Sequence, residues 1–161
     1  MPKPQAVQAS EAGLKIEAYV PNIGAIIHDL DLSAVGDDRA VQADLRAALA
    51  EYQVLFFRDQ HLTPEQQIQV ARIFGDPDKA KSFFPRLAGQ SVVEVIEAKP
   101  NSHRYSTDQW HTDITFSANP PIGTVLYARE VPPAGGDTLW ASATRVFDAF
   151  PPGLRSYLEK L

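Results

Sequence analysis

The second half of the chain is cut by proline and glycine at close intervals: Pro120-Pro121, Pro132-Pro133-Ala134-Gly135-Gly136 and Pro151-Pro152. Proline lacks the backbone N–H that a helix interior or a central strand uses, so no long regular element can run through these breaks. The pieces between them are short and rich in β-branched and aromatic residues. Trp110 to Phe116, Gly123 to Val131 and Asp137 to Ala141 each read as a strand. Short strands joined by Pro/Gly turns favour a barrel or sandwich.

The first half mixes strands with helices. Leu14 to Val20 alternates apolar and polar residues, and Asn22 to Leu32 places Ile23, Ile26 and Ile27 around Gly24, which predicts two strands. Asp37-Asp38 supplies an N-cap for a helix with Val41, Leu45, Leu49 and Tyr52 on its apolar side, and Val54 to Phe57 reads as a buried strand. Thr63-Pro64-Glu65-Gln66 combines a cap, a proline at the first helical position and a glutamine three residues after the cap, so a helix is expected up to Gly75.

Asp76 to Gln90 reads as a long surface loop, Val92 to Ile96 as a strand, and Lys99 to Gln109 as irregular. From Pro151-Pro152 a helix is predicted with an apolar stripe of Leu154, Tyr157, Leu158 and Leu161. It ends on that stripe without a C-cap, from which the chain is expected to be the N-terminal part of a longer protein. Residues 1–12 read as a flexible tail and residues 13–161 as the N-terminal portion of one domain.

Composition narrows the chemistry. With 15 basic and 20 acidic residues in 161, a net charge of -5 and no block of like charge, nothing favours nucleic acid or an anionic membrane as partner. The chain has no cysteine, so any metal must be held by nitrogen and oxygen. Met1 to Ala12 lacks an apolar core of signal-peptide length, and no run approaches the ~18 apolar residues of a membrane span. A soluble, cytoplasmic protein is expected.

Within Trp110-His111-Thr112-Asp113-Ile114-Thr115-Phe116, His111 and Asp113 stand two residues apart. In a strand such side chains share one face with backbones ~6.5–7 Å apart, so they can converge on one ion. Two such ligands plus a second histidine make the facial triad of non-haem Fe(II) oxygenases. Four histidines and 20 acidic residues give about one such spacing in two chains of this length by chance. On spacing alone, metal ligation and a merely hydrogen-bonded polar pair stand level; a polar pair in an apolar run would be costly to bury without a partner.

Of the other histidines, His28 reads as a hydrogen-bonded structural residue, His61 as solvated, and His103 as an exposed loop residue. No serine sits in G-x-S-x-G, no phosphate-binding G-x-x-x-x-G-K-[ST] occurs, and Gly135-Gly136 reads as a tight turn.

Taken with Pro120-Pro121-Ile122-Gly123 and Gly135-Gly136-Asp137-Thr138-Leu139-Trp140-Ala141, the histidine stretch closely resembles the taurine dioxygenase family of Fe(II)- and 2-oxoglutarate-dependent oxygenases. Asn22 to Ala25, Val54 to Gln60 with Leu62-Thr63-Pro64, and Phe74-Gly75 resemble the family's N-terminal half, so the likeness runs from about Leu14 to the end. It implies a mixed α and β fold: a double-stranded β-helix, or jelly roll, flanked by helices and incomplete at the C-terminus.

The resemblance makes His111 and Asp113 the first two iron ligands and Thr138 the hydroxyl that contacts a 2-oxoglutarate carboxylate; without the family, Thr138 reads as a β-favouring residue after a turn. Trp110 and Trp140 are expected as core or wall aromatics. Fe(II), 2-oxoglutarate and O2 are the implied cofactor and co-substrates. The products are succinate, CO2 and a hydroxylated substrate, which for a sulfonate falls apart to sulfite and an aldehyde. Homo-oligomerisation is expected by family likeness alone.

Where taurine enzymes present a histidine and a tyrosine after Phe-Gly, this chain has Lys79-Ala80-Lys81-Ser82-Phe83-Phe84, which makes Lys81 and Phe84 candidate substrate contacts. Thr107 stands where taurine enzymes place an asparagine, and Ile114 is a candidate pocket wall. Relatives acting on alkyl sulfates and aryloxyalkanoates leave a small anionic substrate as the expectation, taurine being one of several. The family's third ligand, a histidine, and its 2-oxoglutarate arginine are expected beyond Leu161, so residues 1–161 alone are expected to be inactive. The alternative is a non-catalytic β-sandwich binding module, in which His111 and Asp113 only pair with each other or with neighbours.

Overall fold

In the computed structural model, which describes residues 6–77, 84–97 and 109–161, the alternation of the N-terminal third becomes a four-stranded sheet in the order β1-β2-β3-β4. The strands are β1 (Gln8–Ala9), β2 (Lys15–Val20), β3 (Ile23–His28) and β4 (Leu55–Phe57). β1 falls in the stretch read as a tail, and pairs Gln8 with Ile16. β2 and β3 are antiparallel with Ile16 opposite Ile27, whereas β3 and β4 are parallel with Ile26 opposite Phe56. A parallel pair cannot be joined by a hairpin. The crossover is α1 (Arg39–Tyr52), which packs on both strands.

The α1 start follows its sequence signal. The Asp38 carboxylate accepts from the Ala40 and Val41 N–H groups at 3.0 and 3.1 Å, satisfying two donors that have no partner inside the helix. Leu45 is fully buried, and with Ala48 it joins Leu14, Ile16, Ala25, Ile27, Leu32 and Val35 in the core of this unit. Gly24 has φ +87, and a Cβ there would stand 3.2 Å from Phe56 Cε2, so glycine both permits the backbone and admits the ring. Tyr19 and Trp140 each lie 5.3 Å, centroid to centroid, from Phe56, and the Arg58 guanidinium carbon is 5.8 Å from its ring.

By contact the chain divides into two units: one runs up to Gln60 and resumes over Ala128–Leu161, the other is His61–Tyr127. The first also carries α3 (Ala143–Ala149) and α4 (Pro152–Leu158). α4 is the helix expected from Pro151-Pro152. α3 was not expected; its cap is the buried Ser142, whose hydroxyl accepts from the Arg145 N–H at 3.2 Å.

The second unit is built on α2 (Pro64–Phe74), whose capping box forms as the sequence predicts: Thr63 Oγ1 accepts from the Gln66 N–H, and the Gln66 side chain accepts from the Thr63 N–H. Leu62, Val70 and Ile73 are buried. Within the stretch read as a loop and then a strand, residues 85–95 form a narrow hairpin. Leu87 N–H donates to Val93 O and Val95 N–H to Pro85 O, with Arg86 bridged to Glu94 and Gly89 at φ +80 in the turn.

The strands expected at 110–116, 123–131 and 137–141 do not form as paired strands among the described residues. A strand requires a neighbouring backbone to complete its ladder, and these segments use other partners. Val125 O accepts from the Gln67 side chain at 3.5 Å and Tyr127 Oη from the Leu62 N–H at 3.2 Å, so residues 125–127 lie along the start of α2 instead of in a sheet.

Candidate metal centre

Trp110 to Thr112 is irregular, and residues 113–116 form a turn closed by the Ser117 N–H on Ile114 O at 3.1 Å. Strand alternation is therefore not what brings the polar pair together. His111 Nε2 and Asp113 Oδ1 are 3.3 Å apart at the entry to the turn, on side chains that are 56% and 54% exposed. Ile114 sits at φ +51, a conformation that costs a β-branched residue about 1–2 kcal/mol. That strain lies immediately after Asp113, where strained residues at functional sites often fall.

Each side chain is also held from behind. His111 Nδ1 is 2.8 Å from the Gln109 carbonyl, which can only accept, so Nδ1 carries a proton and Nε2 is the nitrogen turned toward Asp113. Thr124 Oγ1 donates to Asp113 Oδ2 at 3.2 Å, leaving Oδ1 toward the imidazole. Adjacent corners of an octahedron with bonds of about 2.1 Å are about 3.0 Å apart. The 3.3 Å between Nε2 and Oδ1 fits two neighbouring positions on one small divalent cation. Among the described residues no third histidine or carboxylate joins them.

The other sequence candidates fall in different places. Ile114 is half-buried in the turn that follows Asp113, and Phe84 is half-buried just ahead of the hairpin. Thr138 is exposed and belongs to the first unit. Lys81 and Thr107 lie outside the described residues, as does His103. His28 is a structural residue, with Nε2 2.7 Å from Glu17 Oε2, and His61 is exposed. Trp140 packs on Phe56, while Trp110 is 71% exposed. Sequence reasoning missed Gln109 and Thr124. The first acts through its backbone, which has no residue signature, and the second is a β-favouring threonine with nothing local to mark it.

Residues 15–161 match the model of the taurine catabolism dioxygenase TauD, TfdA family. The chain belongs to this family. An alkylsulfatase of Acinetobacter baylyi is 32% identical over 156 residues, covering 96% of this chain and 48% of its own length. An alpha-ketoglutarate-dependent sulfate ester dioxygenase of Pseudomonas putida is 32% identical over 149 residues, covering 92% of this chain and 48% of its own. Among solved structures, a taurine dioxygenase from Burkholderia xenovorans superposes with a TM-score of 0.74 at 30% identity, over 91% of this chain and 51% of that one. The chain therefore spans about half the length of these relatives.

Membership of the taurine dioxygenase family agrees with the mixed α/β architecture and its sheet. No helix among the described residues is long and apolar enough to cross a membrane.

Proposed function

We propose that this chain is the N-terminal, metal-carrying portion of a Fe(II)- and 2-oxoglutarate-dependent dioxygenase with a jelly-roll core, which hydroxylates a small anionic, sulfonate- or sulfate-like substrate. One observation carries the reading: His111 Nε2 and Asp113 Oδ1 face each other at 3.3 Å, each with its second polar atom already engaged. A bare histidine–carboxylate contact in a binding module would have a similar separation. Family membership and the outer hydrogen bonds favour the metal.

His111 and Asp113 would hold the iron through one nitrogen and one oxygen, and a third protein ligand is required besides them to complete a facial triad. When bound, Fe(II) supplies the site at which O2 and 2-oxoglutarate are consumed, giving succinate, CO2 and a hydroxylated C–H carbon. Asp113 lowers the net charge at the centre. The Gln109 carbonyl would hold the Nδ1–H of His111 and so turn Nε2 toward the ion. The Thr138 hydroxyl would donate to a 2-oxoglutarate carboxylate. Lys81 would meet the substrate anion as a point charge, with Phe84 and Thr107 as further substrate contacts and Ile114 as a pocket wall.

When the hydroxylated carbon bears a sulfonate, carbon–sulfur cleavage releases sulfite and leaves an aldehyde. The test is succinate formation by the full-length protein with 2-oxoglutarate and a panel of alkyl sulfates, alkyl sulfonates and aryloxyalkanoates. Turnover with a sulfur-containing anion that is lost in His111→Ala is the expected result. Turnover that survives His111→Ala removes the proposed centre.

A further inference from the structure

Thr124 lies in the extended segment after Pro120-Pro121, which no strand pairing holds among the described residues. The segment is nevertheless tied to a rigid element. Val125 O accepts from Gln67 and Tyr127 Oη accepts from the Leu62 N–H, at and just before the capped start of α2, while Ile122 Cγ2 would meet a Cβ added at Gly75 at 4.0 Å. Two hydrogen bonds to the start of α2 hold the chain just after Thr124, at Val125 and Tyr127.

From that anchored position its hydroxyl reaches Asp113 Oδ2 at 3.2 Å, across eleven residues of chain. An exposed threonine hydroxyl has water as an alternative partner, and a solvated carboxylate can rotate freely. A fixed donor on Oδ2 selects one rotamer and leaves Oδ1, the oxygen 3.3 Å from His111 Nε2, free to face an ion. The carboxylate would otherwise be able to chelate with both oxygens and occupy a position needed by another ligand.

We propose that Thr124 is a positioning residue: its hydroxyl, braced by α2, fixes Asp113 as a one-oxygen ligand. This rests on the reading of His111 and Asp113 as metal ligands. Hydrogen bonds of this outer kind are worth about 10- to 100-fold in metal affinity.

The experiment is calorimetric titration of the full-length protein with Co(II), together with the thermal midpoint of each variant without metal. Thr124→Val keeps the shape and removes the donor; Thr124→Ala is the second variant should valine disturb the fold. Both are expected to bind Co(II) about 10- to 100-fold more weakly with an unchanged midpoint, and Thr124→Ser is expected to restore the affinity. His111→Ala is expected to lose the binding.

If Thr124→Val and Thr124→Ala bind Co(II) as the native chain does while His111→Ala does not, the metal pair stands and the role of Thr124 is overturned. A lowered midpoint with native affinity likewise reduces Thr124 to a structural residue. If His111→Ala binds as the native chain does, the metal reading fails and the role of Thr124 with it.

Discussion

Trp140 meets Phe56 edge-on, with ring centroids 5.3 Å apart and ring planes 80° from parallel. Phe56 is on β4, and Trp140 is two residues after Thr138, so the contact ties the segment of the candidate co-substrate hydroxyl to the sheet. Edge-to-face pairs contribute about 0.5–1.5 kcal/mol beyond the area they bury. Trp140→Ala is expected to lower stability by about 1–2 kcal/mol in urea unfolding, and Trp140→Phe by less. Equal stability of the alanine variant would show that the ring pair does not hold this segment.

The capping box at α2 makes a separate prediction. Thr63→Ala removes the acceptor for the Gln66 N–H and is expected to cost about 1 kcal/mol. Thr63→Ser, which keeps the acceptor, stays near native. Because the Leu62 N–H donates to Tyr127 Oη just before this cap, the alanine variant should also speed hydrogen exchange at the Leu62 and Gln66 amides.

The ion pair of Lys15 and Asp29, at 2.6 Å, sets a pH dependence. The hydrogen bond from Lys15 and then its charge hold Asp29 below its ordinary 3.8, and the same partner lifts Lys15 above its ordinary 10.5. The contribution of Asp29 is full above pH 3.8 and is lost as pH falls through its lowered value. That of Lys15 is full below 10.5 and is lost as pH rises through its raised value. Asp29 has φ +55, which asparagine also tolerates, so Asp29→Asn removes the charge without new backbone strain. The urea midpoints of native and Asp29→Asn proteins should differ most between these limits, converge beyond either one, and approach each other in salt because both groups are solvent-exposed.

The parts of the fold that could be read from the sequence are those set by local chemistry. Asp38 and Thr63 cap the helices they announce, Leu45 is the buried centre of the α1 stripe, and the apolar alternation of β2 and β3 places Ile16 against Ile27. The extended segments after Trp110 were read as strands because β-branched residues favour extended backbone, but pairing depends on a neighbour that no local pattern specifies. Ile114 shows this most directly, since a β-branched residue at φ +51 contradicts its own preference. The candidate site was legible as a residue pair and its geometry was not: the turn and the Gln109 carbonyl are backbone geometry that no residue type marks, and the Thr124 hydroxyl comes from eleven residues away.

The central claim is that His111 and Asp113 hold Fe(II) beside 2-oxoglutarate. The most direct measurement is the weak visible metal-to-ligand charge-transfer band on adding Fe(II) and 2-oxoglutarate anaerobically to the full-length protein. The account predicts a band that His111→Ala and Asp113→Ala each abolish, with folding unchanged by circular dichroism. A band that persists unaltered in His111→Ala would contradict it.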